Sequence, residues 1–207
     1  GHGVVSKDDL VFTAGAYSIT SADHGLQGKN SIRIANGTFN IKCTEDGLHS
    51  ENSEDSSKGF VYIIGGTLNI SAGDDGIHSG TSLTVKDGKI NVSESCEGLE
   101  GQSINISGGT VSVVSSDDGF NAASSDSSST LQSNPMAADD SCSINISGGK
   151  ITVDADGDGI DSNGSITVSG GEIYVAGPES GGDGALDYNG TGTVTGGMVI
   201  MLGSNKM

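Results

Sequence analysis

The chain has 207 residues, of which 27 are acidic and 9 are lysine or arginine, so its formal net charge is −18. This charge argues against unaided binding to nucleic acid, anionic lipid or an acidic polymer, because each of these has the same sign. Collagen is excluded, since the 35 glycines do not recur at every third position and there are only 2 prolines.

A heptapeptide that ends in two glycines recurs along the chain. Its copies Ser103–Gly109 and Ser143–Gly149 are identical, and Ser165–Gly171 is nearly so. With looser copies included, the turn glycines are Gly15, Gly37, Gly66, Gly88, Gly109, Gly149, Gly171 and Gly197. Their common spacing is 21–22 residues, with longer intervals at two insertions. Such a period indicates a solenoid, and its repeats fill the chain as one domain, 1–207.

Each unit alternates apolar and polar residues on both sides of its turn glycine, as at Ile144, Ile146, Ile151 and Val153. A period of two predicts strands rather than helices. Three short strands per unit, separated by Gly, Asn and Asp corners, are expected to stack coil upon coil about 4.8 Å apart. We therefore predict an all-β fold, a single-stranded right-handed parallel β-helix of about eight coils. The calcium-binding β-roll does not fit, because its glycine-rich nonapeptide does not occur at the required spacing.

Two insertions, 50–59 and 122–142, enter at the same point of the coil, just after an acidic corner. We expect both to project from one side of the solenoid. In repeat proteins such loops often form the binding face. The alternative is that they are tolerated surface loops without a role in binding.

Most coils contain an acidic residue followed by glycine and an apolar residue, as in Asp75-Gly76-Ile77 and Asp118-Gly119-Phe120. Stacking places these acids in a column. At about 5 Å and an effective dielectric near 20, each neighbouring pair of carboxylates costs on the order of 3 kcal/mol. The chain has too few Lys and Arg to compensate for this, whereas calcium takes six to eight oxygens from carboxylates and carbonyls. We therefore predict two or more bound calcium ions.

The predicted metal ligands occupy the corners and the position three residues beyond them. They are Asp46, Asp74, Asp75, Glu97, Glu100, Asp117, Asp118, Asn121, Asp156, Asp158, Asp161, Asp183 and Asp187. The run from Asp154 to Gly159 also has the D-x-D-x-D-G start of a calcium loop. It is not an EF-hand, because the twelfth position is Ser165 and strands are predicted on both sides. A single Asp-Gly pair would otherwise be interpreted as a turn.

His49, His78 and Glu100 lie three residues beyond successive corners and are predicted to point outward, with the two histidines stacked. We interpret them as ligand-binding residues that contact sugar. The alternative is a structural ladder of polar surface residues. No catalytic residue is assigned, because none of the lysines lies in the acidic-corner motif.

The three cysteines, Cys43, Cys96 and Cys142, are odd in number and form no CxxC pair, which argues against a zinc site and predicts at least one free thiol in a monomer. No membrane span or signal peptide is visible in the sequence. We expect a monomer from which an export signal has been removed.

The Ser-Ile-Asn-Ile-Ser-Gly-Gly repeat and the Asp-Asp-Gly corners resemble the carbohydrate-binding β-helix domain proteins of clostridia, which are related in fold to family-nine polysaccharide lyases. Those lyases hold calcium with a D-D-x-x-D arrangement. The pattern is approximated by Asp74-Asp75 with His78 and by Asp117-Asp118 with Asn121. It is matched in part by Asp158 with Asp161 and by Glu97 with Glu100. The resemblance implies a secreted or cell-surface protein that binds cellulose or acidic plant polysaccharide with calcium.

Three functions stay open at this stage. The first is a calcium-loaded module that binds pectic acid, cellulose or a related glycan, the metal reversing the local charge. The second is an active calcium-dependent polysaccharide lyase, which the absence of a clear base makes the lesser alternative. The third is a structural spacer on the cell surface.

Overall fold

The computed structural model describes residues 1–124, 137–179 and 181–204. These residues form twenty β-strands, and no helix in them is long and apolar enough to cross a membrane. The strands belong to three parallel sheets, named A, B and C in the order in which each coil visits them. Each sheet contains eight strands or strand segments, one per coil, so the predicted parallel β-helix of about eight coils is confirmed.

Sheet A contains β1 (Val4–Ser6), β4 (Leu26–Gly28), β7 (Leu48–Ser50), the first parts of β10 (Ile77–Val85) and β12 (Leu99–Ile106), β14 (Phe120–Ala122), β16 (Ile160–Ser162) and β18 (Asp187–Tyr188). Sheet B contains β2 (Asp9–Phe12), β5 (Ser31–Ile34), β8 (Phe60–Ile63), the ends of β10 and β12, the first parts of β15 (Ser143–Ala155) and β17 (Ser165–Ala176), and β19 (Gly192–Val194). Sheet C contains β3 (Ala16–Thr20), β6 (Thr38–Lys42), β9 (Thr67–Ser71), β11 (Lys89–Glu94), β13 (Thr110–Ser115), the ends of β15 and β17, and β20 (Met198–Leu202).

The core consists of aliphatic residues stacked in register from coil to coil. Ile104 pairs with Ile144, which pairs with Ile166, and all three are almost fully buried. Burying each such side chain contributes about 1.5–3 kcal/mol. The predicted alternation holds because every second residue of a strand faces this interior. At the N-terminal end, Phe12 and Phe39 pack edge to face with ring centroids 5.1 Å apart.

The eight repeat glycines form the turn between sheets B and C. All eight have positive φ, from 83° at Gly109 to 133° at Gly37. Residues with a Cβ are strained in that region, whereas glycine adopts it readily. This requirement explains why the repeat is so clear in the sequence.

The corner glycines before sheet A have a different role, which is close packing of one coil on the next. A Cβ on Gly119 would lie 2.2 Å from Cγ1 of Val153 and 2.4 Å from the carbonyl oxygen of Gly159. The Gly carbonyls of these corners also accept ladder hydrogen bonds, as when the Leu99 N–H donates to Gly119 at 3.0 Å. The corner residue is thereby held at one coil spacing from its neighbour.

The two insertions both lie between sheet A and sheet B, after β7 and after β14. Residues 125–136 of the second insertion lie outside the described residues. Cys43, Cys96 and Cys142 are free thiols, and Cys43 and Cys142 are buried.

Candidate functional site

The acidic corners align into a column along the edge where each coil enters sheet A, here called the corner column. The N–H of each corner glycine donates to the carbonyl of the corner residue in the next coil, for example Gly47 to Asp75 at 2.8 Å and Gly98 to Asp118 at 3.0 Å. These ladder bonds define the members of the column as His24, Asp46, Asp75, Glu97, Asp118, Asp158 and Gly184.

A second column runs beside the first, on the outward-facing middle position of the sheet A strands, and is here called the strand column. Its members pair directly from coil to coil: Gln27, His49, His78, Glu100, Asn121, Asp161 and Asp187. The expected stacking of His49 on His78 is present, with ring centroids 4.8 Å apart and planes 10° from parallel. Six successive coils, from the one with His24 and Gln27 to the one with Asp158 and Asp161, thus place two polar side chains, three residues apart in sequence, on one face.

Backbone amides fix the orientation of the corner column. The N–H of Asp75 donates to Oδ1 of Asp46 at 3.0 Å, and that of Asp158 donates to Oδ1 of Asp118 at 2.7 Å. Hydrogen bonds from N–H groups favour the ionised carboxylate and offset part of the repulsion along the column. This compensation by the backbone is not visible in the sequence.

The first coils contain a His-rich segment, defined by His24, Asp46, His49, Asp75 and His78. Its imidazoles form one stack, because the His24 and His49 rings lie 4.2 Å apart and within 11° of parallel. His49 Nδ1 is 2.6 Å from Oδ2 of Asp46, and His78 Nδ1 is 3.3 Å from Oδ2 of Asp75. The corner carboxylates of this segment therefore have imidazole partners.

These contacts shift the proton affinities in the His-rich segment. Burial alone would raise the pKa of Asp46, but the hydrogen bond from His49 and the Asp75 N–H bring it below its ordinary value. Burial disfavours the charged form of His78, yet its contacts with Asp75 and Glu100 raise its pKa to about 10. Protonated His78 therefore lies against the carboxyl groups of Glu100 and Asp75 at neutral pH, while burial and the nearby Glu100 and Asp46 raise the pKa of Asp75 to about 7.

Later coils contain an acidic segment, defined by Glu97, Asp118, Asn121, Asp158, Asp161 and Asp187. Within the described ranges, none of its carboxylates forms an ion pair with Lys, Arg or His. Oxygens of Asp158, Asp161 and Asp187 lie within 4.8 Å of one another. Glu100 marks the boundary, since it lies next to Asn121 in the strand column but contacts His78.

Four carboxylates of the acidic segment have raised pKa values: Glu97, Asp118, Asp158 and Asp161. Burial, with Glu100 and Asp75 nearby, raises the pKa of Glu97 to about 8. Burial and the charges of Asp118 and Asp187 raise that of Asp161 to about 7. Such values, well above the ordinary carboxyl range, are typical of sites where charge is concentrated for function.

An unsatisfied oxygen lies within the acidic segment. The Asn121 amide donates from Nδ2 to Oε1 of Glu97 at 2.9 Å. Its Oδ1 is buried and, among the described residues, has no hydrogen-bond partner. A buried carbonyl oxygen without a donor costs about 1–3 kcal/mol, so a partner for this atom is expected.

One predicted ligand, Asp183, lies beside the corner position of its coil rather than in it. Gly184, not Asp183, occupies the corner, because the Gly159 N–H donates to the Gly184 carbonyl and Gly184 N–H donates to Oδ1 of Asp158. In this coil Gly184 and Ala185 occupy the positions where other coils have an acid and a glycine. Asp183 therefore lies one residue before the corner and is not a member of the column. Asp187 keeps its predicted place opposite Asp161.

Other predicted ligands lie at the margins of the two columns. Asp74, Asp117 and Asp156 precede the corners and are exposed. Asp154 lies within strand β15, so the run from Asp154 to Gly159 consists of a strand end followed by a corner. His24 also belongs to the corner column, although it is not among the predicted ligands; its place before Gly25, where most other coils have an acid, is the signal for it in the sequence.

An open cleft of about 390 Å³ follows the two columns from His24 to Glu100. Its lining includes residues of both segments and of the insertion after β7: His24, Asp46, His49, Glu51, Asp74, Asp75, His78, Cys96, Glu97 and Glu100. The cleft is therefore polar and mostly acidic, and it runs along the solenoid across several coils.

Comparison with known proteins places the chain in a family. No curated protein matches it. Among solved structures it is similar to a polysaccharide lyase-like protein from C. thermocellum, studied as a gadolinium derivative, with 19% identity, 95% of this chain and 89% of that chain covered, and a TM-score of 0.46. A family model described as carbohydrate-binding domain-containing protein matches residues 1–140. The chain therefore belongs to this family of carbohydrate-binding domain-containing proteins.

Proposed function

We propose that this protein is a secreted or cell-surface module that binds acidic plant polysaccharide, such as pectic acid, through calcium ions held by the acidic segment. Family membership supports carbohydrate as the partner. The observation on which the calcium proposal rests is the buried, unpartnered Oδ1 of Asn121 among carboxylates that have no cationic partner within the described ranges.

The donor set of the acidic segment suits calcium. Calcium prefers carboxylate and amide carbonyl oxygens, and it tolerates irregular geometry. Asn121 supplies an amide oxygen, and Asp161, its neighbour in the strand column, supplies a carboxylate. Asp118 and Asp158 supply corner carboxylates whose pKa values burial and neighbouring acids raise, to about 6 for Asp118. A bound cation would both contact Oδ1 of Asn121 and reduce the repulsion among the carboxylates of the acidic segment.

Calcium also reconciles the protein with an anionic ligand. A chain of net charge −18 repels polygalacturonate unless the local charge is reversed. A bound divalent ion is the largest local charge in such a site and attracts uronate carboxylates and sugar hydroxyls. The cleft beside the His-rich segment reaches the acidic segment at Glu97, so a linear polysaccharide bound at the ions could extend along it.

Retention on a polygalacturonate matrix tests the proposal. Protein freed of metal is applied with calcium or with a calcium chelator. Retention is expected only with calcium, and Asp161→Asn is expected to weaken it at least about tenfold, because one carboxylate ligand is lost. Asn145→Ala is the matched surface control, since Asn145 lies exposed in the Asn105–Asn145 ladder of sheet B. Equal retention in calcium and in chelator contradicts the proposal.

A further inference from the structure

A second pocket lies beside the first insertion, on the side of the solenoid where sheet A leads into sheet B. Its volume is about 300 Å³, and it is here called the insertion pocket. It is lined by residues 52–56 of that insertion and by Gly80, Thr81, Gln102 and Ser124 of later coils. Apart from Gly80, each lining residue has a hydroxyl, amide or carboxylate side chain. The pocket therefore suits a ligand that forms many hydrogen bonds.

Hydrogen bonds hold the first insertion in place as one wall of this pocket. Nδ2 of Asn52 donates to Oδ1 of Asn30 in the preceding coil at 2.8 Å, and Oδ1 of Asn52 accepts from the Glu54 N–H at 3.0 Å. On the other side, Oγ1 of Thr81 in the following coil donates to the Lys58 carbonyl at 2.8 Å. Because the insertion is attached to the coils before and after it, its side chains present a preformed surface to a ligand.

The charges of the insertion pocket distinguish it from the acidic segment. Nζ of Lys29 lies 2.9 Å from Oε2 of Glu54, and Nζ of Lys58 lies 3.3 Å from Oδ2 of Asp55. The hydrogen bond from Lys29 lowers the pKa of Glu54, and hydrogen bonds from Ser57 lower the pKa of Asp55, so both carboxylates are ionised at neutral pH. Ionised carboxylates accept strong hydrogen bonds from hydroxyl groups, while the two lysines compensate for their charge. The pocket therefore favours a neutral ligand with hydroxyl donors over a metal ion or an anion.

We propose that the insertion pocket binds one neutral sugar unit of the polysaccharide. The inference rests on the proposed function for carbohydrate as the partner, but it requires no calcium. The carboxylates of Glu54 and Asp55 accept hydrogen bonds from sugar hydroxyls. The Gln102 amide is oriented by its hydrogen bond to Oγ of Ser141, at 3.0 Å, and accepts a further hydroxyl through Oε1. The volume of about 300 Å³ is at the lower end of small-molecule sites, which suits a single small unit.

A smaller cavity joins the insertion pocket to the cleft along the two columns. Its volume is about 80 Å³, and it shares His78 and Glu100 with the cleft and Gly80 and Ser124 with the insertion pocket. A neutral unit in the insertion pocket and acidic units in the cleft can therefore belong to one branched molecule. Because two linked contacts bind more tightly than either alone, the two sites together favour a polysaccharide with neutral branches over an unbranched acidic chain.

Amide NMR of the full chain in the presence of a calcium chelator tests the site. The probes are methyl glycosides of neutral hexoses and pentoses at tens of millimolar, with a uronic acid glycoside as the acidic counterpart. At least one neutral glycoside is expected to shift the amides of residues 52–56, Thr81 and Gln102, and the uronic acid glycoside is expected to shift them less. Gln102→Ala is expected to weaken binding of that neutral glycoside about three- to tenfold, because it removes an amide that bonds to the sugar.

Gln27→Ala is the matched control, since Gln27 is the same residue type but lies in the strand column outside the pocket, and it is expected to bind the glycoside as the wild type does. Because the shifts are measured on wild-type protein, the result does not depend on the folding of a variant. No shift of the pocket amides with any neutral glycoside, larger shifts at His78 and Glu97 than in the pocket, or equal shifts with the uronic acid glycoside would each overturn the proposal. Retention on polygalacturonate is measured separately, and its failure with glycoside binding preserved would contradict the calcium proposal alone.

Discussion

The His-rich segment and the acidic segment have the same backbone but different means of compensating charge. In both, an N–H from the next corner supports a carboxylate, as Asp75 does for Asp46 and Asp158 does for Asp118. In the first segment imidazoles lie against the carboxylates, with His49 Nδ1 2.6 Å from Asp46. In the second no such partner occurs within the described ranges. One scaffold therefore holds a carboxylate column that has imidazole partners at one end and, among the described residues, no cationic partner at the other.

The proton affinities follow this division only in part, since burial and the nearby Glu100 and Asp46 raise the pKa of Asp75, in the His-rich segment, to about 7. The pKa of Asp46 lies below its ordinary value, because hydrogen bonds from His49 and the Asp75 amide outweigh the effect of burial. The pKa of Glu97 is raised to about 8, because burial and nearby Glu100 both disfavour its charge. The sequence argument counted only Lys and Arg as compensating groups and therefore treated the column as uniform. The comparison shows that histidine and backbone amides compensate for part of it.

Calcium is expected to have the largest effect, and to act on the acidic segment. Two sites at 100 times their dissociation constant would contribute about 5 kcal/mol to the free energy of unfolding. For a domain of this size that corresponds to about 10–20 °C in the thermal midpoint. Scanning calorimetry of metal-free protein with and without added calcium measures the shift, and elemental analysis should find at least two ions. Asp161→Asn should remove much of this shift in the thermal midpoint, whereas the control Gln27→Ala, in the same column, should not. An equal midpoint with and without calcium would show that the acidic segment holds no metal.

The turns and the register of this arrangement follow from the sequence. The exact corner positions and the side-chain contacts do not, because the repeat pattern does not determine them. The glycine spacing predicts the turns because only glycine tolerates the positive φ found at Gly109 and its equivalents. The register that brings His49 onto His78 follows from the same period. Alignment by the repeat places Asp183 at the corner, because Asp183-Gly184 looks like the acid-Gly pair of other coils. The coil has one extra residue, so the corner is in fact Gly184. The pairing of His49 with Asp46 depends on side-chain orientation, which spacing alone does not determine.

Metal-free protein is expected to become less stable as the pH rises from about 5 to 8. Raised pKa values, about 8 for Glu97 and about 7 for Asp161, mean that the folded state binds more protons than the unfolded state in this window. The free energy of unfolding therefore decreases with pH, by about 3 kcal/mol in total after allowance for solvent screening. His78, with a pKa of about 10, acts in the same direction, since its stabilisation is lost as the pH rises from about 6.5 to 10. Denaturant unfolding at several pH values measures the slope.

Saturating calcium provides the control for this pH dependence. Ions on the acidic segment favour ionised carboxylates, so the decrease between pH 5 and 8 is expected to flatten or reverse. Stability of the metal-free protein that rises over the same window would contradict the raised pKa values.

A substitution that disturbs the shared backbone is expected to lower the free energy of unfolding equally in the two segments. A Cβ on Gly47 would lie 2.5 Å from Cγ2 of Ile70, and one on Gly119 would lie 2.2 Å from Cγ1 of Val153. Gly47→Ala and Gly119→Ala should each destabilise the protein by about 1–3 kcal/mol, because the packed coils need to move apart. Urea unfolding measures both variants. A large difference between them would show that the segments differ in backbone packing as well as in charge.

The smallest effect, and the most direct separation of the segments, is expected from removing one corner charge in each. In metal-free protein at pH 8, Glu97→Gln removes a carboxylate that burial and Glu100 disfavour, so it should stabilise the protein by on the order of 1 kcal/mol. Asp46→Asn weakens charged hydrogen bonds with His49 and the Asp75 amide, so it should destabilise by about 1–2 kcal/mol. Opposite signs from two conservative substitutions at equivalent corners would show that partners, rather than position, determine the effect of a carboxylate in this column. Calcium should reverse the effect of Glu97→Gln on stability but not that of Asp46→Asn. A change in stability of the same sign for both variants in metal-free protein would mean that the column behaves uniformly.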